Sequence, residues 1–345
     1  MPPPAPNRRR RPTMHDVAAK AGASLKTVSR VVNDEPGVSG TLRDRVLGAI
    51  EELGYEPDAR ARNLRRSGSQ ERTLGLILVD SSNPFAGLLT RGVEDVARPH
   101  GSLVIAASSD EDPEREHLLF QELVSRRVDG LIMYPTDHAA PIIVRGLERG
   151  TPVVCVDRVP DGLPCDTVVS DNRGGMRAAT ESLLHTGHRD IGFLGDSLTI
   201  YTARERLAGF REALRSAGVD PRPEWEIAGL RDPDAARRAA TELMAASPRP
   251  TALVAAQNLV TIGTIKALHG LGLQHQVALV SFDDVQFATE LTPAVTAVPQ
   301  DPYELGRRAA IRLFDRLAGD TSDPHLEVLE VPLLRRGSGE IGVAS

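Results

Sequence analysis

The sequence predicts a small all-α helix-turn-helix module, a short hinge, and an α/β body of two doubly wound lobes. Three observations carry this. Between positions 13 and 53, short apolar faces recur at helical spacing. From position 72, continuous apolar runs alternate with helical patterns, the mark of parallel sheets buried on both faces. The charge is also divided. Residues 1–70 hold 13 Lys/Arg against 8 Asp/Glu, net +5, and the remainder holds 28 against 39, net −11. A basic head on an acidic body is a nucleic-acid-binding pattern. At 345 residues the chain has room for two or three domains.

Residues 1–12 are Pro-rich and then Arg-rich, without an apolar period, and are expected to be a disordered basic arm. Thr13 is an N-cap with Asp16 three positions on, a variant of the capping box. Val17, Ala18 and Ala21 form the inner face of the first helix, and Gly22 ends it in a tight turn. Ser24 caps a second helix over 25–32, with Val28, Val31 and Val32 inside. Its other face carries Lys26, Thr27, Ser29 and Arg30, donors suited to base edges and phosphates in a major groove. After a loop opening at Asn33, Ser39 or Thr41 caps a third helix with Leu42, Val46, Ile50 and Leu53 on one face and Gly54 as its stop. The headpiece is thus 13–57. Residues 58–71 read as hinge helix and linker: four arginines with one large apolar residue, Leu64, are too little to hold a lone helix in water.

In the body, strands are expected at 74–79, 103–107, 131–133 and 153–156, with helices at 84–100, 113–127 and 141–149 between them. The pattern then restarts with helices at 172–185, 203–217, 232–246 and 259–271 and strands at 191–194, 253–255, 277–282 and 295–298. A helix at 303–317 and a strand at 326–331 close it. The lobes are placed at about 72–169 with 299–323, and about 170–298 with 324–338, leaving 339–345 as a tail.

Several classes are excluded or disfavoured. No apolar run approaches the ~18 residues of a membrane span, and no secretory signal is read at the start, so a cytoplasmic protein is expected. Cys155 and Cys165 fit no common zinc or redox spacing. His185 and His188 read as a helix end rather than a metal pair. There is no G-x-G-x-x-G, P-loop or G-x-S-x-G. No enzyme activity, cofactor or metal is expected.

Residues 13–66 closely resemble the headpiece and hinge of the LacI/GalR family of bacterial transcription regulators, through T-M-H-D-V-A-A-K-A-G-A-S-L-K-T-V-S-R-V-V-N over 13–33 and L-G-Y-E-P-D-A-R-A-R-N-L over 53–64. The body is similar to the family's effector domain, itself like periplasmic sugar-binding proteins, through D-S-S-N-P-F at 80–85, V-D-R at 156–158, S-D-N at 170–172, A-R-E-R-L-A-G-F at 203–210, S-F-D-D at 281–284 and Q-D-P-Y-E-L-G-R at 300–307. The resemblance implies a homodimer on palindromic double-stranded operator DNA. Its contacts fall on Thr13, Ser24, Leu25, Lys26, Thr27, Ser29, Arg30 and Asn33. Ala61 and Leu64 are the hinge positions, with Leu64 wedged into the minor groove. Arg30 suits bidentate pairing with guanine, worth about 1–3 kcal/mol of discrimination.

The resemblance also implies two lobes that close over a small-molecule effector, joined by crossovers near Ser170, Val298 and Asp323. Arg206 stands where the family clamps its effector, and Asp283 where a carboxylate accepts effector hydroxyls. Asn83, Phe85, Asp157, Asp171, Thr202, Arg231, Gln257 and Gln300 complete the expected site. Two departures bear on its chemistry: Ala86 follows Phe85 where a second aromatic is frequent, and Arg231 replaces a stacking aromatic. With 3% aromatic residues, an anionic or strongly polar effector is expected beside a sugar. The end of the chain has no leucine heptad, so a dimer is expected rather than a tetramer. The implied function is an effector-controlled repressor. An activator or dual regulator of the same build is the first alternative, and a solute-binding protein the second.

Overall fold

The computed structural model describes residues 12–55 and 71–343. The chain divides after Glu71 into two compact units. The basic arm and the hinge helix, with Ala61 and Leu64, lie outside the described residues.

The first unit contains α1 (Met14–Ala21), α2 (Leu25–Val32) and α3 (Gly40–Leu53). Thr13 and Asp16 close a reciprocal capping box on α1. Gly22 takes φ +58°. A Cβ there would stand 2.7 Å from Arg45 Nη2, which donates to the Ala21 carbonyl at 2.5 Å. The turn therefore needs glycine for its left-handed backbone. Val17, Val28, Val31, Val46 and Ala49 form a shared core. Ser39 is the N-cap of α3, although its side chain makes no cap hydrogen bond.

The second unit begins with β1 (Thr73–Leu78), α4 (Pro84–Ala97), β2 (Leu103–Ser108), α5 (Pro113–Ser125), β3 (Gly130–Met133), α6 (Ala140–Glu148), β4 (Val153–Val156) and β5 (Asp166–Ser170). It continues with α7 (Asn172–His185), β6 (Ile191–Leu194), α8 (Tyr201–Ser216), β7 (Glu226–Ile227), α9 (Pro233–Ala245), β8 (Ala252–Ala255), α10 (Asn258–Gly270), β9 (Ala278–Phe282) and β10 (Thr296–Val298). Then come α11 (Pro302–Leu317) and β11 (Leu326–Leu329). Two parallel sheets result, in the orders β11-β5-β4-β3-β1-β2 and β10-β9-β8-β6-β7. The central strands of each are buried on both faces, as continuous apolar strands require, while the edge strands β2 and β11 are partly exposed. In the N-lobe, α4 and α11 cover one face and α5 and α6 the other. In the C-lobe, α7 and α8 oppose α9 and α10. Helices α4 and α11 meet where Gly92 and Gly306 admit each other's backbone: a Cβ on either would lie 2.1 Å from a carbonyl oxygen of the other helix.

Two boundary expectations are corrected. β11 pairs with β5, so 326–329 belongs to the N-lobe and the third crossover follows Leu329 rather than lying near Asp323. The reason is a free sheet edge at β5, which the last strand fills. The expected tail from 339 is also part of the C-lobe. Ser338 and Gly339 are buried, and the Ile341 carbonyl lies 2.8 Å from His188 Nε2. The short edge strand β7 carries too few residues to show a period, and was not expected.

Candidate functional site

In the headpiece, the exposed surface of α2 starts from its cap. Ser24 Oγ accepts from the Thr27 backbone N–H at 3.1 Å and lies 2.8 Å from Thr27 Oγ1. Leu25, 38% exposed, and Lys26 follow at the tip. Thr27, Ser29 and Arg30 are half-buried along the helix side. Asn33 caps the C-terminal end, its amide donating to Ser29 Oγ at 3.4 Å. Thr13 is committed to α1 through Asp16, whose Oδ2 accepts its backbone N–H at 2.7 Å. Seven of the expected side chains, Ser24 to Thr27, Ser29, Arg30 and Asn33, thus share one helix and its ends. Thr13 sits apart on the cap of α1.

In the second unit, a cavity of about 200 Å³ opens between the lobes. Its walls come from the segments that follow the C-terminal ends of β1, β2, β3, β4, β6, β7, β8, β9 and β10, where an open parallel sheet exposes its backbone ends and loops. Arg206, on α8 and 4% exposed, is locked in place. Its Nε donates to Asn172 Oδ1 at 2.7 Å, its Nη1 donates to the Ala256 carbonyl at 2.8 Å, and its guanidinium lies 3.9 Å over the Phe282 ring. Nη2 makes no hydrogen bond among the described residues and belongs to the cavity wall. Burial pulls Arg206 below its ordinary value, against the opposing fields of Asp283 and Asp157.

Asp157 and Asp283 leave β4 and β9 with φ of +68° and +74°. Left-handed backbone at a residue other than glycine favours Asp and Asn, and it clusters at functional sites. Asp283 is held on both oxygens: Oδ1 accepts from Gln300 Nε2 at 2.7 Å and Oδ2 from the Asn258 backbone N–H at 3.0 Å. Asp157 has the Arg158 Nε 3.8 Å away. Burial pushes Asp157 above the usual carboxylate range, with Arg158 and Arg206 offsetting part of the rise. Burial raises Asp196 as well. Arg158 makes a two-pronged pair with Glu111, Nη1 at 2.9 Å and Nη2 closer still. Across the cleft, Asn258 Nδ2 on α10 donates to Asn83 Oδ1 at the start of α4, 2.9 Å away.

Nine of the ten expected effector residues line this one cavity: Asn83, Phe85, Asp157, Thr202, Arg206, Arg231, Gln257, Asp283 and Gln300. Asp171 does not. Its Oδ1 accepts from the Gly174 backbone at 2.8 Å as the N-cap of α7. Sequence reasoning missed Glu111, Tyr134, Arg158 and Asp196, which also line it, as does Asn258 beside Gln257. Tyr134 is buried and its hydroxyl has no hydrogen-bond partner among the described residues. Strand-end position was the available signal for Tyr134 and Asp196. Glu111, three residues beyond β2, carried the same signal more weakly, since nothing in sequence ties it to Arg158.

The two units together define a class: a helix-turn-helix module carried by a two-lobed, periplasmic-binding-protein-like domain. Residues 13–58 match the bacterial regulatory proteins of the lacI family, and residues 180–339 a periplasmic binding protein-like domain. The chain is 31% identical to the ribose operon repressor of Escherichia coli (strain K12), over 94% of this chain and 99% of that protein. It is 33% identical to the transcriptional regulator CelR solved with cellobiose, at a TM-score of 0.71 over 95% of this chain and 100% of the other. It is 27% identical to the lac repressor, solved as a dimer on operator with an anti-inducer, at a TM-score of 0.85 over 96% and 99%. The chain belongs to the lacI family of bacterial regulatory proteins.

Proposed function

We propose that this protein is a cytoplasmic transcription repressor that binds a palindromic operator as a homodimer and is released by a small neutral sugar, without enzymatic activity. The observation that carries the effector half is the make-up of the cleft. Five carboxylates, Asp80, Glu111, Asp157, Asp196 and Asp283, face three guanidiniums, those of Arg158, Arg206 and Arg231. One guanidinium is already neutralised by Glu111. An anion entering this cleft meets a surplus of negative charge, whereas a polyhydroxylated ring offers donors to the carboxylates and acceptors to Arg206 and Tyr134. The anionic alternative is therefore set aside. The small cavity suits a single sugar ring, and ribose is the first candidate, because the similar Escherichia coli protein is named for the ribose operon.

The DNA half rests on α2, whose Lys26 and Arg30 have no acidic partner among the described residues. A ligand bridging Arg206 and Asp283 to the N-lobe changes how the lobes close, and Gln300, on a crossover, holds Asp283 directly. Lobe geometry in turn sets whether two hinges dock on one operator, with a coupling of about 1–3 kcal/mol.

The test pairs calorimetry with a mobility-shift assay on a palindromic operator. Ribose should bind, a ribose phosphate should not, and ribose should release the DNA. Arg30→Ala should weaken specific binding by about 1–3 kcal/mol and relax base choice. Tight binding of the phosphate with none of any neutral sugar overturns the effector reading. Operator binding indifferent to Arg30 overturns the DNA reading.

A further inference from the structure

A second cavity lies on the outer face of the N-lobe, between α5 and α6. Its volume is about 230 Å³, and it shares no residue with the cleft. Its floor is apolar: Phe120 and Ile142, both buried, with half-buried Val124. Gly146 of α6 lets the Phe120 ring lie against the helix backbone, since a Cβ there would stand 2.6 Å from Phe120 Cζ. Its rim is basic. Arg145 and Arg149, one helical turn apart, are exposed at the end of α6, and His117 stands across on α5. Arg145 spends only its Nε, on the Pro141 carbonyl at 3.3 Å. No carboxylate lies within salt-bridge reach of either arginine among the described residues, and no acidic residue lines the cavity.

An apolar floor under two unpaired guanidiniums selects a particular occupant. A wholly polar anion makes no use of the apolar lining of Phe120, Val124 and Ile142, and a wholly apolar molecule leaves the arginines unused. A compact apolar body with one carboxylate satisfies both, the body removing apolar surface from water and the carboxylate meeting a fork of N–H donors. We propose that this groove is a second ligand site of the protein, for small aromatic or short-chain carboxylates, independent of the cleft.

The probe is para-trifluoromethylbenzoate, followed by fluorine NMR on the full chain. It should bind in the millimolar range or tighter and be displaced by unlabelled benzoate. Saturating ribose should leave it bound. The double variant Arg145→Gln/Arg149→Gln changes only exposed side chains and should weaken it roughly tenfold. Val124→Phe, which fills the floor from a half-buried position, should abolish it while circular dichroism stays unchanged. Equal binding of para-trifluoromethylbenzyl alcohol, an unaffected double variant, displacement by ribose, or no binding at all would each overturn the proposal.

Discussion

Asp157 in the N-lobe and Asp283 in the C-lobe leave their strands in the same way. Each has left-handed backbone, and each backbone N–H donates to the neighbouring strand, to Val168 at 2.8 Å and Val298 at 2.9 Å. Their side chains differ. Asp283 is fixed on both oxygens, and its neighbour Arg206 is fixed by Asn172, Ala256 and Phe282. Asp157 is fixed by neither oxygen at hydrogen-bond distance, and the nearby Tyr134 hydroxyl and Arg158 Nε are buried without partners. The Asp283–Arg206 pair is therefore preformed, while the Asp157 corner leaves two buried donors open to a ligand; beside Asp283 the Gln300 Oε1 is orphaned as well. Unsatisfied buried groups are costly, so ligand binding gains most where they are relieved.

The largest test of this contrast is Arg206→Ala. It removes two buried hydrogen bonds and the cation over Phe282, leaving Asn172 and the Ala256 carbonyl unpaired. Thermal unfolding should show a loss of about 3 kcal/mol. Effector affinity by calorimetry should fall by roughly a hundredfold or more. Arg206→Lys should rescue little, because an ammonium cannot reproduce the fork. A variant that folds and binds like the parent would remove the preformed pair from the site.

The next concerns the N-lobe and pH. Glu116 on α5 is 1% exposed and accepts from the Thr136 backbone N–H at 2.8 Å and Oγ1 at 3.1 Å. Burial pushes its pKa from 4.5 to about 7, against the lowering effect of the Thr136 bonds. Because the folded value is the higher one, the folded state binds this proton more tightly. The stability it contributes is complete below the unfolded value and is lost as pH rises through about 7. The change is at most about 3 kcal/mol. Glu116→Gln keeps an acceptor for the Thr136 N–H and a donor for its Oγ1. Denaturant unfolding should find it more stable than the parent at about pH 8 and flat across the window in which the parent declines. A parent without that decline places the proton elsewhere.

The paired substitution compares the two aspartates directly. Asn tolerates the left-handed backbone at both. Asp157→Asn removes a buried charge with little fixing it and should raise unfolding stability by up to about 1 kcal/mol. Asp283→Asn removes a charged acceptor from Gln300 and the Asn258 backbone and should lower stability by about 1–2 kcal/mol. Opposite signs sharpen the contrast, and equal losses erase it.

What the sequence showed depended on the length of the signal. Long apolar strands and capped helices were legible, as was the α2 surface, because Ser24 and the spacing of Val28 and Val31 fix which face is free. β11 was legible as a strand but not in its lobe, since a strand's period does not name its neighbour. In the cleft, Arg206 and Asp283 were legible by resemblance. Asp171 was misjudged because a strand-end carboxylate and a helix N-cap look alike in sequence, and the Gly174 N–H decides between them. Glu111 was barely legible because only folding brings it to Arg158, 47 positions away.

The smallest expected effect is the one that spans the two lobes. The hydrogen bond from Asn258 to Asn83 joins C-lobe to N-lobe. Asn83 also caps α4 through the Phe85 backbone N–H at 3.1 Å, so Asn83→Ala alone loses both the cap, about 1 kcal/mol, and the bridge. Asn258→Ala loses the bridge together with the local bond that Asn258 Oδ1 accepts from the Leu259 N–H. A double-mutant cycle cancels both local contributions and leaves the bridge, expected at about 1 kcal/mol in unfolding without ligand. The same cycle in ribose affinity decides what the bridge does. If it holds the lobes in the arrangement that receives ligand, each single variant weakens ribose and the double variant weakens it no further than their shared loss. If it instead competes with ribose for Asn83 and Asn258, the single variants bind ribose more tightly, and the contrast between a fixed pair and a completed corner has to be drawn without a link between them.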